Sequence, residues 1–464
     1  MTKLFWIVLA KTLLLMAFIL FGPLGLSPDE AQYWTWSQHP SLVYYSKPPG
    51  IAYQIGLTTL FFGNNELGVR FGSLIFGALM PFLIYLLAKQ ASLSDKEAFW
   101  SGVIWCFIPI GLIGSLLAIT DVGMIFFWTL GLYYLLKEGA TPRLGIIIAC
   151  GALFKFPIYF FWLAALFLIP LDKKWMKAAL ISLVGLIPSL IWNIQNNFVT
   201  FRHVSATLPG GTSAVLSQGN PLEFIGTQIG LLSPILFFIF LIGFIRTRWE
   251  ETPRPIVFLG FLTIFILAVG IVISFFTKVQ GNWIIFAYPS AIPFLVWAAN
   301  HQFNKGEDWL RIGLALSLLL MIVALFLPYK MSPFKVNFSG RPLTKILEEA
   351  GYDPEEQYLF SDTYQTTALL SFYAPGQKQA FFLNIHGNRH NQYSLWPGVE
   401  STSLDKEGYF VSLENKSPTE LAKLLKPYFN AVLSKGTFPL LNKQVQVLET
   451  FQYNGRKPDE ASRF

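Results

Sequence analysis

Charge is scarce in this chain of 464 residues: Asp, Glu, Lys and Arg together make up 13% of it, against about 25% in an ordinary soluble domain. The shortage is uneven. From Met1 to Pro328 long apolar runs alternate with short charged clusters, whereas Tyr329 to Phe464 has a normal soluble composition. Two regions in two solvents are therefore expected. Cysteine is scarcer still. Cys106 and Cys150 both lie inside apolar runs, which excludes a disulfide framework in an exported domain and leaves them as packing residues. No GxxxxGK[ST], HExxH or CxxC occurs, so nucleotide hydrolysis and a structural zinc site find no support. The five histidines are scattered; His386 and His390 flank Gly387-Asn388-Arg389, a weak spacing for a metal site. The net charge of +7 does not mark a nucleic-acid partner. Its basic residues sit in short loops between apolar runs, where they set topology.

What is present in quantity is hydrocarbon. Runs near 4–22, 67–88, 98–116, 121–136, 178–194, 223–245, 256–276, 282–299 and 310–328 approach the roughly 20 residues needed to span a bilayer. The first run is too long for a signal-peptide core and reads as a retained anchor. Five basic clusters, beginning with Lys89 and Lys96 and ending with Lys305 and Arg311, belong on the cytoplasmic side. Parity between them requires Leu144–Leu171 to fold back as two short helices with its apex at Lys155-Phe156-Pro157, since proline disrupts a helix interior and a mid-membrane lysine is costly. The expectation is a mainly α, polytopic protein of about eleven membrane helices, counted by this parity. Residues 1–328 form its membrane domain and 329–464 a small extracytoplasmic α/β domain, with external loops at 23–66 and 195–222. Within the tail, strand-like runs (Tyr358–Ser361, Lys378–Leu383, Gly408–Glu414, Ala431–Leu433, Gln444–Phe451) alternate with helical ones (Thr363–Tyr373, Thr419–Phe429).

The ionisable residues that remain gather at one face of the membrane. Ser27-Pro28-Asp29-Glu30 follows the first span; its carboxylates suit a general base or a cation ligand, or simply a helix cap, which needs only one of them. Lys47, held by Pro48-Pro49-Gly50, is either a phosphate contact or a headgroup anchor. Arg70 lies one turn inside an apolar run, where it pairs locally with Glu66 or serves function. Asp121 opens the fourth span as a first-turn acid at the same depth as Asp29. Lys155 reaches this level from the folded-back apex. Charge placement alone names no reaction, and a lipid transporter or a non-catalytic scaffold stands beside an enzyme. A transporter, however, keeps its ionisable groups near the midplane.

At these residues the chain resembles the bacterial glycosyltransferase family 39 group, related to protein mannosyltransferases and the aminoarabinose transferases of lipid A. The matching pieces are Asp29–Trp34, Tyr44–Pro49, Gly68–Arg70, Thr120-Asp121, Lys155, Ile191–Asn197, Asn282-Trp283, Phe372-Tyr373 and Gly387–Pro397, in order over most of the chain. The resemblance implies a GT-C fold at the inner (cytoplasmic) membrane and inverting transfer of a sugar from a polyprenyl-phosphate donor to an extracytoplasmic glycolipid, polysaccharide or protein. It implies Asp29 as base, with Glu30 and Asp121 in support, and Lys47, Arg70 and Lys155 on the carrier phosphate. Tyr33, Tyr45, Asn193, Arg389, Asn391 and Tyr393 become substrate-binding candidates. No cofactor is required, though a divalent cation has room. The aminoarabinose transferases carry an Arg after the acidic pair and a Glu before the loop lysine; Gln32 and Ser46 stand here instead, which argues against that sugar and against a metal held by such a Glu.

Overall fold

The computed structural model describes residues 1–207, 219–326, 340–387, 390–401, 406–414, 416–440 and 443–456. Its first part is helical: α1 (Thr2–Phe21), α2 (Pro28–Gln38), α3 (Gly50–Phe62), α4 (Glu66–Gln90), α5 (Asp95–Phe107), α6 (Pro109–Leu116), α7 (Thr120–Glu138), α8 (Pro142–Ala152) and α9 (Phe160–Ala165). Further helical stretches run to Phe326, among them Arg254–Phe276 and Gly306–Phe326. At 1.5 Å per residue, helices of this last kind match the hydrocarbon thickness. Among the described residues six helical stretches are long and apolar enough to cross a membrane, or eight if each of two bent pairs is one span. By length and composition this is fewer than the expected eleven segments; the shorter apolar helices Gly50–Phe62, Pro142–Ala152 and Phe156–Ala165 stand outside the count.

Proline explains the better-placed break. In α5–α6, bent by 59°, Pro109 forces Ile108 into extended backbone (φ −70°, ψ 151°), as a residue before proline prefers. The stretch from Leu144 does interrupt where expected. Helix α8 ends at Ala152, Lys155 is extended (φ −160°, ψ 129°), and Phe156–Tyr159 forms a single tight turn before α9.

The C-terminal part holds a five-stranded sheet of β1 (Tyr358–Ser361), β2 (Phe381–Phe382), β3 (Gly408–Ser412), β4 (Phe429–Leu440) and β5 (Lys443–Tyr453), in the order β2-β1-β3-β5-β4. Strands β2, β1 and β3 are mutually parallel, and β5 pairs antiparallel with both β3 and β4. Helix Tyr364–Tyr373 connects β1 towards β2, and it buries one face against α2. Trp34 meets Phe372 edge-on at 5.0 Å between ring centres, and one apolar cluster joins Ala31, Trp34 and Ile55 to Leu343, Leu369 and Tyr409. The tail therefore rests on the loop between the first two spans.

Candidate active site

The sequence Ser-Pro-Asp-Glu builds the first wall. Ser27 caps α2, accepting from the Glu30 amide, while Glu30 Oε2 accepts from the Ser27 amide at 2.9 Å. This is a capping box with proline at the first helical position. The cap uses Glu30 and leaves Asp29 to the other side of the helix. Glu30 is fully buried and receives Arg70 Nε at 2.8 Å, Arg70 Nη2 at 2.8 Å and the Ala118 amide at 3.0 Å. Arg70 spends its remaining contacts on the carbonyls of Leu24 (3.1 Å) and Gly25 (2.7 Å). Burial alone would push the Glu30 carboxyl up, but the Arg70 charge and these hydrogen bonds hold it below the usual range.

Glu30 is an internal brace, its oxygens taken by Arg70 and by the Ser27 and Ala118 amides. One expectation is corrected by this geometry. Arg70 is wholly enclosed with four of its N–H bonds donated, so it cannot also grip a phosphate. Nor does Arg70 pair with Glu66 one turn away. That acid bonds Arg341 and the Tyr373 hydroxyl (2.7 Å) from the C-terminal part.

The second wall is the loop after α2. Tyr44 stacks on Trp36 (4.5 Å, 8° between planes), and its hydroxyl donates to the Trp36 carbonyl at 2.8 Å. Its amide meets the Lys47 carbonyl at 3.0 Å, which closes a turn around Lys47. Pro48-Pro49 then deliver Gly50 against the break after α8, where its amide donates to the Leu153 carbonyl at 2.7 Å. A side chain at Gly50 would stand 2.6 Å from that oxygen. Glycine is required by close approach, and the approach brings Lys47 beside Lys155. Phe154 is seated against Gly123 of α7, where any Cβ would meet its ring at 2.2 Å. Lys155 thereby reaches the first turn of α7 and donates to Asp121 Oδ1 at 2.6 Å. Asn282 approaches the other oxygen at 3.5 Å.

Asp29 and Lys47 differ from every charged group around them. Among the described residues neither side chain has a hydrogen bond or an ion pair. Asp29 is an exposed residue yet ringed by protein, and this enclosure pushes its carboxyl above the usual range, with Lys47 opposing the effect and Glu30 adding to it. Lys47 is pushed down by burial and then by Lys155, against the pull of Asp121 and Asp29. The Tyr33 hydroxyl lies in the fields of both Asp29 and Asp121; burial first, and those charges next, raise it. An exposed, unpaired carboxylate and a half-buried, unpaired ammonium, flanked by a paired Asp–Lys couple, can take one proton and hold one anion.

The remaining candidates separate. Tyr45 is buried against Trp192 and Val199, and its amide donates to Gln392 Oε1 at 2.6 Å. Asn193 is fully buried and holds a helix end, donating to the Ser189 carbonyl (2.8 Å) and accepting from the Thr200 amide (3.0 Å). Asn391 caps a short turn by accepting from the Tyr393 amide at 2.9 Å, and Tyr393 is buried beside Thr35 of α2. Both are used in packing the tail onto α2. Arg389 lies outside the described residues. The sequence reading assigned no role to Gln392. An isolated glutamine carries no signal for contacting an amide 347 positions away.

This geometry has relatives. The dolichyl-phosphate-mannose-protein mannosyltransferase family matches residues 46–192. The lipid A galacturonosyltransferase RgtD of Rhizobium johnstonii is 28% identical over 347 residues, covering 69% of this chain and 70% of the relative. An undecaprenyl phosphate-alpha-4-amino-4-deoxy-L-arabinose arabinosyl transferase of Pseudomonas paraeruginosa is 25% identical over 386 residues, with 70% and 68% covered. The crystal structure of ArnT from Cupriavidus metallidurans bound to undecaprenyl phosphate superposes with a TM-score of 0.64 at 15% identity, over 96% of this chain and 97% of that one. The chain is similar in sequence to these glycosyltransferases and shares the GT-C fold of the last of them. The GT-C fold accounts for the helical membrane part and the small sheet domain above it, and the polytopic character agrees with the apolar spans.

Proposed function

We propose that this GT-C enzyme moves a sugar from a polyprenyl-phosphate donor to an acceptor hydroxyl on the extracytoplasmic face of the cytoplasmic membrane, with inversion at the anomeric carbon. The observation that carries this reading is that Asp29 and Lys47, each within the other's electrostatic reach, are both unpaired among the described residues beside the Asp121–Lys155 couple. Asp29 takes the proton of the acceptor hydroxyl as that oxygen bonds to C1. The C1–O bond to phosphate breaks, and its electron pair leaves on the polyprenyl phosphate. The departing phosphate is already ionised and needs no acid to protonate it, in contrast to glycoside hydrolysis. It needs a cation, which Lys47 supplies as a point charge. A carboxyl raised above its ordinary pKa is, once ionised, a stronger base than a free aspartate.

Asp121 and Lys155 form the next layer. Asp121 neutralises Lys155 and holds it 2.6 Å away, so that Lys47 is not facing an uncompensated second ammonium. Glu30 and Arg70 are positioning residues that fix the first turn of α2. Residues 1–328 make the membrane domain and 329–464 the extracytoplasmic one, which roofs the reacting groups through Gln392 and Tyr373. The acceptor class is a glycolipid of the lipid A kind, a reading supported by the galacturonosyltransferase relative.

The decisive experiment compares Asp29→Asn with the parent enzyme in detergent, using a radiolabelled polyprenyl-phosphate sugar. Donor binding is expected within about threefold of the parent, with turnover reduced by about 10³. Unchanged turnover removes Asp29 as the base. Mass spectrometry of envelope glycolipids from a deletion strain, searched for one missing sugar increment, identifies acceptor and sugar together.

A further inference from the structure

We propose that Asp362, His386 and Glu414 form a binding site for a divalent transition cation, of the zinc or manganese kind, on the C-terminal sheet and apart from the reacting groups.

The three residues arrive from three strands. Asp362 directly follows β1, Glu414 follows β3 and His386 follows β2. Because β2, β1 and β3 are parallel, all three side chains emerge at the same carboxyl edge, the edge at which open α/β sheets bind their ligands. His386 Nε2 lies 3.0 Å from Asp362 Oδ2 and 4.0 Å from Glu414 Oε2, and the three ligand atoms all fall within 4.8 Å of one another. Metal–nitrogen and metal–oxygen bonds of about 2.0–2.2 Å need ligand atoms roughly 3–3.5 Å apart. A small rotation of Glu414, which is one-third exposed, completes such a set.

The contacts at His386 favour a metal over a purely internal ion network. Lys416 Nζ lies 3.0 Å from the same Nε2 and 2.6 Å from Glu414 Oε2. One ring nitrogen cannot donate to the Asp362 carboxylate and accept from an ammonium in the same protonation state, so one of the two contacts goes unsatisfied. A cation bound to the Nε2 lone pair removes the conflict and draws in both carboxylates. Lys416, already 33% exposed, then turns to solvent. The donor set fits the choice of ion: one imidazole and two carboxylates carry two negative charges, and a nitrogen ligand disfavours calcium and magnesium. Ser361 Oγ, which donates to the Val411 carbonyl at 2.8 Å, lies 3.4 Å from the second Asp362 oxygen. With no cation beside it, the Asp362 carboxyl is pushed up by burial and by the Glu414 charge.

The position gives the ion a structural duty. Six residues beyond His386, Gln392 holds the Tyr45 amide, two residues from Lys47. A metal at the sheet edge fixes the start of this segment, and so the roof over the reacting groups.

The test uses the full chain in detergent, stripped with a chelator and titrated with Zn²⁺ or Mn²⁺ alone. Elemental analysis should find one ion per chain after desalting, and Tm should rise saturably. His386→Ala and Asp362→Asn are expected to weaken binding by at least about tenfold. Lys416→Met separates the alternatives. If the site is built for a metal, this variant binds at least as tightly as the parent; if Lys416 is itself the resident cation, it loses stability that no metal restores, and the proposal falls. Substoichiometric metal in the parent, or equal binding by His386→Ala, also overturns it. None of these readouts depends on transferase activity.

Discussion

Arg70 Nε sits 2.8 Å from Glu30 Oε1 with both side chains at zero exposure, so the loop after the first span is tied to α4 by a buried ion pair. Breaking such a pair from one side leaves an uncompensated charge and costs about 3–5 kcal/mol. Glu30→Gln and Arg70→Met should each destabilise the detergent-solubilised enzyme by this order. The double variant should be less damaging than the sum of the two. Denaturant unfolding of all four proteins measures the coupling; additive losses would mean the pair does not act as a unit.

Asp29 makes the opposite case. Its carboxyl is raised above the ordinary 3.8, chiefly by enclosure, and it must be ionised to act as base. The kcat/KM profile should therefore fall on the acid side at a pH higher than a free aspartate would give. The sign for stability is reversed. The folded state binds this proton more tightly than the unfolded chain does, so the enclosed charge is a penalty at neutral pH, relieved as pH drops through the raised value. Asp29→Asn should unfold at the same or a higher temperature than the parent at pH 7 while losing turnover. A lower Tm would show the carboxylate to be a structural group.

Asp121 and Lys155 share a proton-bearing contact of 2.6 Å, and removing either exposes Lys47 to a changed field. Asp121→Asn leaves the Lys155 ammonium without its counter-charge and next to Lys47. Their mutual repulsion should widen the phosphate site, with kcat lowered by about 10² and the donor KM raised. Lys155→Met at the same time should recover part of the KM but not of kcat. Steady-state kinetics on the two variants decides; a double variant no better than Asp121→Asn would rule out repulsion as the cause.

The sequence announced these groups unequally. Membrane character, the break at Lys155 and the strands at 358–361 and 408–412 followed from local signals: apolar length, a proline after a lysine, and alternation between turns. The convergence of Asp29, Lys47, Asp121 and Lys155 followed from charge being rare, so that each ionisable group near one face stood out. The division of labour between Asp29 and Glu30 followed from the family resemblance and not from any local signal. Both suit the first turn of a helix, and only the approach of α4 shows that Glu30 belongs to Arg70. The metal candidate was half visible. His386 was noticed beside His390, but Asp362 and Glu414 are separated from it by 24 and 28 positions, and only parallel strand pairing unites them.

The roof over the site offers a test that leaves every charged group in place. Gln392 Oε1 accepts from the Tyr45 amide at 2.6 Å in a buried setting. Leucine at 392 keeps the volume and removes the acceptor, leaving the amide unsatisfied at a cost of about 1–3 kcal/mol. Because Lys47 is only two residues on, the lost contact should loosen the turn that presents its ammonium. The expected signature is a raised donor KM, by about tenfold, with kcat changed much less, since the base on α2 is untouched. Gln392→Glu sharpens the comparison: a carboxylate can still accept from the amide, so KM should return towards the parent while the added charge near Lys47 shifts the pH profile. If both variants lowered kcat alone, the tail would be acting on the chemistry of Asp29, and its role as a roof for the donor phosphate would be lost.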